Sequence, residues 1–265
     1  MPGKTRVTDV IISCYAMSGI RDYRETEDAI YFGVPEPLID PQSMAFRSHA
    51  GVLNDMAVSH RLSLAVGRHK FGMPEDSAFA IRRIEASAGR HGTAMAREIE
   101  LHFEVTAKRY GAVTGLKTVL LIGGATGRAV TTTFDVIPSA LATFVRRERK
   151  FLDFAEVAMG GTEPQLSIIA EGRFRYHPSE GDRVSDGRRV DHVPALTLID
   201  IAMSVAENGS PGTAGPSLWA EFFSYTDPRI SFDILTEAGS MIFVQNDKRV
   251  AIVGKDESGR RNSPG

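Results

Sequence analysis

The sequence has only one cysteine, Cys14, and no long apolar run among its 265 residues. A single cysteine excludes an internal disulfide and a cysteine-rich zinc site, and it is typical of proteins from a reducing compartment. No apolar stretch approaches the length needed to cross a bilayer. The first residues also lack the apolar core of a signal peptide. We therefore expect a cytoplasmic protein.

The sequence also lacks an excess of charge of either sign. The formal net charge is -2, which provides no general attraction to nucleic acid or to an anionic membrane surface. Positive charges are in excess in residues 1–150 and negative charges in residues 151–265. Apolar residues make up 42% of the chain, a content normal for a globular protein that buries a core. We expect neither nucleic acid nor membrane as a partner.

The two halves of the sequence show the same order of predicted elements. In each half, strand-like sequence precedes one long helix, and several strands of alternating pattern follow it. The predicted strands are Val7–Ala16, Ala29–Val34, Ile99–Val105, Val119–Ile122 and Val130–Val136, then Leu166–Tyr176, Leu218–Tyr225, Ile230–Leu235, Met241–Gln245 and Arg249–Val253; the predicted helices run from about Phe46 to Arg68 and from Pro194 to about Asn208. The aromatic residues of the 218–225 strand are predicted to lie in the core of the sheet.

This order predicts an α+β fold built from two similar units. A helix packed on an antiparallel sheet is a standard two-layer arrangement, and a duplication places the two helices near a pseudo-two-fold axis. We assign residues 1–150 to the first unit, residues 151–255 to the second, and residues 256–265 to a disordered tail. The duplicated chain is expected to be either a monomeric pseudo-dimer or a homodimer.

The stretch 191–204 carries most of the chemical information. His192 comes just before Pro194, a residue suited to the first turn of a helix, and Asp200 follows about two turns into that helix. The free N–H groups at a helix start can hold a carbonyl oxygen that gains negative charge during a reaction. One short segment therefore combines an oxyanion site, an imidazole and a carboxylate.

Each of these polar residues also has a structural interpretation. Asp191 is better explained as a helix N-cap or loop anchor than as a catalyst. His192 either orients or deprotonates a substrate, or it hydrogen-bonds the backbone before the helix. Asp200 flanks an apolar stripe, where it is either a desolvated acid–base group or a solvated carboxylate at the edge.

The stretch resembles the motif of the A-factor biosynthesis (AfsA-type) hotdog family, Asp-His-Val-Pro-Gly-Met-Val-Leu-Leu-Glu-Ala-Ala-Arg-Gln. Six positions match outright, namely Asp191, His192, Val193, Pro194, Leu198 and Ala202. The first half is also similar to the upstream repeat of that family, in which a helix ends near Phe-Gly-Val-Pro; here residues 71–74 read Phe-Gly-Met-Pro. The resemblance implies a tandem, or double, hotdog in which a curved antiparallel sheet wraps each central helix.

The sequence departs from the family at the charged positions. Asp200 stands where the family has Glu, and Met203 stands where it has Arg. Counting back from Pro74 places Ala57 at the acidic position of the first repeat and His60 at the Arg position. Asp55 and His49 are nearby polar alternatives. The first repeat is therefore expected to have lost its acid in this register.

The resemblance implies acyl transfer from a carrier-bound β-ketoacyl thioester to a small hydroxyl acceptor such as dihydroxyacetone phosphate, the step that begins γ-butyrolactone synthesis. It implies His192 and Asp200 as catalytic groups and an acyl carrier protein as a partner. The substrate-binding candidates are Asp191, Val193, Pro194, Ala195, Met203, His60 and Asp55. No cofactor and no metal are expected. The alternatives are a hotdog thioesterase, dehydratase or cyclase, and a non-catalytic acyl-binding protein.

Overall fold

The computed structural model describes residues 21–33, 51–73, 77–87, 98–123, 127–138, 141, 165–179, 182, 184–185, 188–189, 192–209 and 217–256. The strand predicted over residues 7–16 lies outside these ranges, as do Asp191 and the residues of the predicted tail after Asp256.

The described residues form two α-helices and fourteen strands. The helices are α1 (Gly51–Lys70) and α2 (Ala195–Gly209). The strands before residue 150 are β1 (Arg21–Glu25), β2 (Ala29–Gly33), β3 (Ala78–Ser87), β4 (Glu98–Arg109), β5 (Ala112–Ile122) and β6 (Arg128–Ile137). Those after it are β7 (Leu166–Ala170), β8 (Arg173–Tyr176), β9 (Val184–Ser185), β10 (Arg188–Arg189), β11 (Ser217–Phe222), β12 (Phe232–Glu237), β13 (Ser240–Gln245) and β14 (Lys248–Asp256). Neither helix is long and apolar enough to span a membrane, within the part of the chain described.

Twelve of these strands form one antiparallel sheet whose order repeats from both edges. The order is β1-β2-β4-β5-β6-β3-β11-β14-β13-β12-β8-β7. From one edge the sheet has the hairpin β1-β2, then β4, β5 and β6, then β3, which follows α1 in the chain. From the other edge it has the hairpin β7-β8, then β12, β13 and β14, then β11, which follows α2 in the chain. The two sets of six meet where β3 pairs with β11. β9 and β10 form a separate small hairpin between β8 and α2.

Helix α1 is buried against β3, β5 and β6, and it also contacts α2. Much of its surface is apolar, with Leu53, Met56 and Leu62 almost fully buried. Two buried serines bond to threonines of the sheet: Ser59 Oγ lies 3.3 Å from Thr132 Oγ1, and Ser63 Oγ lies 2.8 Å from Thr118 Oγ1. Each of these buried hydroxyls has a hydrogen-bond partner in the core, and the two pairs favour one register of the helix on the sheet.

Several predicted elements are confirmed. The alternating segments around Ile99, Leu120 and Val130 lie within β4, β5 and β6, and their apolar residues are buried on one face. Helix α2 ends at Gly209, as the glycine after Asn208 predicts.

Other predictions are wrong or incomplete. The segment Leu166–Tyr176 is a hairpin rather than one strand, because Gly172 adopts φ 65° in a turn between β7 and β8. β1 was not predicted because its sequence is mostly charged. β3 was not predicted either. Phe223 is 45% exposed just beyond the end of β11, so it is not part of the sheet core.

Candidate functional site

The start of α2 lies within residues 191–204, the segment that carries the predicted catalytic residues. Leu198 N–H donates to the Pro194 carbonyl oxygen at 3.1 Å, so the helical hydrogen bonding begins at Pro194. The N–H groups of residues 195–197 have no carbonyl partner within the helix, which is the general property of a helix first turn. Val193 and Pro194 are buried, and Ala195 is half-buried. This first turn can hold a polarised carbonyl oxygen.

Asp200 is buried on the same helix. The residue is only 4% exposed, so it is not a solvated carboxylate at the edge of the helix, and its acid–base role remains a prediction. Leu196 and Met203 lie four residues before it and three residues after it, on the same helix face, and both are buried. Asp200 is five residues beyond Ala195, about 7.5 Å along the helix axis.

His192 lies before the helix and is half-buried. Its imidazole contacts Tyr225 edge to face, with ring centroids 4.7 Å apart and an interplanar angle of 64°. Tyr225 belongs to the loop between β11 and β12, so a distant part of the chain forms one side of the imidazole environment. His192 and Pro194 therefore directly precede the helix that carries Asp200, and their action on one substrate remains a prediction.

The candidates from the first half have other neighbours. Asp55, in the second turn of α1, is 6% exposed and forms an ion pair in which Arg128 Nε lies 3.1 Å from Oδ2. The His60 ring lies 6.1 Å from that of Phe134. Arg128 and Phe134 both belong to β6. The roles of Asp55 and His60 toward a substrate remain predictions.

A short pattern links the two helices and was overlooked in the sequence. Asp55 and Asp200 are each followed by alanine two residues later and by serine four residues later. Both carboxylates are buried in the second helical turn. This pattern aligns Asp55 with Asp200, whereas the count from Pro74 aligns Ala57 with it. The buried carboxylate of α1 is thus found two residues before the position given by the count.

The sequence analysis also missed Thr226 and Gln245, which hold the loop that contacts His192. Thr226 hydrogen-bonds the backbone of Val193, 33 residues away in the chain. No local pattern marks such a contact. Among the described residues, no three His, Cys, Asp or Glu side chains are grouped closely enough to hold a metal ion.

Comparisons with known proteins give structural matches only. No family model matches the sequence, and no curated protein matches it. The 12:0-ACP thioesterase from Umbellularia californica is similar to this chain with a TM-score of 0.50 at 14% identity, over 85% of this chain and 94% of the other. An acyl-ACP thioesterase from Bacteroides thetaiotaomicron gives a TM-score of 0.47 at 8% identity, over 85% and 95%. A MaoC-like dehydratase from Phytophthora capsici gives 0.38 at 10% identity, over 71% and 75%.

The first of these matches and the observed topology establish the fold. A large antiparallel sheet packed around long helices, in the arrangement shared with the 12:0-ACP thioesterase, is a hotdog-like fold. At 14% identity the match shows that the two chains share a fold, and it does not show that they share a reaction. The chain adopts a hotdog-like fold.

Proposed function

We propose that this protein is an enzyme that cleaves acyl thioesters at the start of α2. The observation that carries the proposal is the buried Asp200 on the helix whose first turn follows His192. The fold of the 12:0-ACP thioesterase supports it, because that protein, by its name, cleaves an acyl thioester. Thioester hydrolysis was the alternative to acyl transfer in the sequence analysis, and it is now the better supported of the two.

The proposed chemistry needs only groups of this chain and water. The first-turn N–H groups of α2 bind the thioester carbonyl oxygen and stabilise the negative charge that develops on it. Asp200 or His192 takes a proton from water as the water oxygen attacks the carbonyl carbon. The carbon–sulfur bond breaks, and the thiol leaves with a proton returned by the same group. The products are a free acid and a thiol.

We also propose that the chain is a double hotdog with one repeat in residues 1–150 and the other in residues 151–255. The repeated strand order supports this interpretation. In each set of six strands the chain forms the edge hairpin first, then the helix, then the strand at the junction of the two sets, and finally the three strands between hairpin and junction. The proposed boundary falls between β6, which ends at Ile137, and β7, which begins at Leu166.

Acyl transfer to a hydroxyl acceptor is the second candidate function. The six motif matches from Asp191 to Ala202 favour it. Met203 weakens it, because a buried thioether stands where the motif has an arginine and cannot bind the phosphate of an acceptor by charge. Dehydration uses the same carbonyl site and the same acid or base. A protein that only binds acyl thioesters is the remaining alternative.

Product analysis by mass spectrometry distinguishes these reactions. The intact protein is incubated with saturated, β-hydroxyacyl and β-ketoacyl thioesters of coenzyme A and of acyl carrier protein, with and without dihydroxyacetone phosphate. Free acid and thiol formed without the acceptor support the proposal. An ester formed only with the acceptor shows acyl transfer, an enoyl thioester shows dehydration, and binding without turnover shows a non-catalytic protein; each of these contradicts it.

A further inference from the structure

The loop between β11 and β12, residues 223–231, lies against the chain segment that carries His192. Tyr225 contacts the His192 imidazole. The next residue, Thr226, is only 2% exposed and lies beside Val193, the residue after His192. The loop therefore reaches both the ring of the histidine and the backbone that supports it.

Thr226 makes two hydrogen bonds to the backbone of one residue. Its hydroxyl oxygen accepts from Val193 N–H at 3.1 Å, and the hydroxyl donates to the Val193 carbonyl oxygen at 3.3 Å. One side chain thus replaces both bonds that a neighbouring strand would make to Val193. Because Val193 joins His192 to Pro194, the hydroxyl fixes the backbone at the junction of the histidine and the helix start.

Gln245, on β13, holds the loop in turn. Its amide oxygen accepts from Asp227 N–H at 2.7 Å, and its amide nitrogen donates to the carbonyl oxygens of Asp227 at 2.8 Å and Ile230 at 2.7 Å. The Gln245 side chain is nearly buried in an interior strand of the sheet. At the far end of the loop, Ser231 Oγ lies 2.7 Å from His177 Nδ1. The loop is therefore tied to the sheet through one buried amide.

We propose that Gln245 and Thr226 are positioning residues that hold His192 in its working orientation, with Tyr225 restricting the imidazole ring. The proposal rests on the proposed function, in which His192 acts at the thioester. The bonds form a continuous connection from β13 through Asp227 and Thr226 to Val193 and His192. Rigid support of this kind matters because a displacement of about 1 Å at a reacting group can reduce the rate about a hundredfold.

The test uses three variants of buried threonines in the full chain. Thr226→Val keeps the side-chain shape and removes both hydrogen bonds, whereas Thr226→Ser keeps the hydroxyl. Thr118→Val is the matched control, because Thr118 is equally buried and its hydroxyl pairs with Ser63 of α1 rather than with this loop. The readouts are the imidazole nitrogen and proton NMR signals of His192, assigned with His192→Gln, and kcat and KM on a cleaved thioester.

Thr226→Val is expected to shift or broaden the His192 ring signals and to lower kcat about tenfold to a hundredfold, with a much smaller change in KM. Thr226→Ser and Thr118→Val are expected to leave the ring signals in place. If Thr226→Val does not fold, Tyr225→Leu removes the ring contact while leaving the Thr226 bonds, and a shift of the His192 signals is expected there too.

Unchanged His192 signals in a folded Thr226→Val or Tyr225→Leu variant would overturn the positioning role. An equal change in Thr118→Val would overturn it as well, since the effect would then follow general loss of stability. If the protein cleaves no thioester, the proposed function fails, and the NMR signals still decide whether Thr226 positions His192.

Discussion

Each helix of this protein buries one carboxylate in its second turn, and the neighbours of the two carboxylates differ. Asp55 forms an ion pair with Arg128 of β6, and Asp200 has the buried residues Leu196 and Met203 one turn before and after it on α2. A carboxylate paired with a guanidinium is held as a charged structural group. We therefore interpret Asp55 as a support for α1, and the role of Asp200 as an acid or base stays a proposal.

This interpretation predicts a stability role for Asp55. Asp55→Asn removes the charge that pairs with Arg128, and we expect it to lower the free energy of unfolding by about 2 kcal/mol. Chemical denaturation measures the loss. Asp135→Asn is the control: Asp135 pairs with Arg82 on the exposed surface, Nε to Oδ2 at 2.5 Å, and we expect its loss to cost less than about 1 kcal/mol. Equal effects of the two variants would contradict a special role for the Asp55 pair.

Asp233 gives a pH-dependent prediction. Burial raises the pKa of Asp233, but the hydrogen bonds from Arg175 and Arg173 outweigh burial, and the pKa lies below its ordinary value of 3.8. A carboxyl whose pKa is lower in the folded state stabilises the protein above its unfolded pKa, and this stability is lost as the pH falls through the folded pKa. The ion pairs join β8 to β12.

We expect Asp233→Asn to lower the thermal midpoint at neutral pH and to have progressively less effect as the pH falls below 3.8. Thermal unfolding of the wild type and the variant over this pH range measures the difference. A difference that stays constant with pH would show that the Arg173 and Arg175 pairs do not contribute in this way.

At the scale of elements, the regular alternation of apolar and polar residues predicted most of the central strands. Strands without this alternation were not predicted. β3 was missed because its register shifts between Ile81 and Arg83. Its buried residues are Ile81, Ile84 and Ala86, so the apolar positions do not follow one period of two. The contact of Tyr225 with His192 was missed for another reason: only the folded sheet brings these two segments together.

Gly254 of β14 lies close to an aromatic side chain of β11. Trp219 lies opposite Gly254, and a Cβ placed on Gly254 would lie 2.5 Å from the indole ring. Replacing glycine by alanine within a strand normally stabilises it, but here the added methyl group must displace the indole. We expect Gly254→Ala to lower the free energy of unfolding by about 1–3 kcal/mol.

The control for this prediction is the double variant Trp219→Leu with Gly254→Ala. The smaller leucine gives the added methyl group space, so the alanine should cost less in that background than in the wild type. Denaturant unfolding of the two single variants and the double variant measures the coupling. An equal cost in both backgrounds would contradict the contact between Trp219 and Gly254.

At the scale of the whole molecule, two sets of six strands meet in one continuous sheet. β3 and β11 join them through five residue pairs, and Arg83 of β3 forms an ion pair with Glu221 of β11 across the junction. Ile84 and Ala220, opposite each other at this junction, are buried. The sequence predicts the repeated order of elements, and its origin in a duplication stays a proposal. The sequence did not show that the two sets share one sheet, because β3, one of the two joining strands, was not recognised.

The most direct test of the account is the rate of thioester cleavage by the wild type, Asp200→Asn, His192→Ala and Asp233→Asn, with the free acid and thiol both quantified. Asp233 lies in strand β12, pairs with Arg173 and Arg175, and serves as a control for replacing a carboxylate. We predict that the wild type and Asp233→Asn cleave at similar rates, and that Asp200→Asn and His192→Ala are at least about a hundredfold slower. Full activity in either Asp200→Asn or His192→Ala, or no cleavage by the wild type of any thioester tested, would contradict the account.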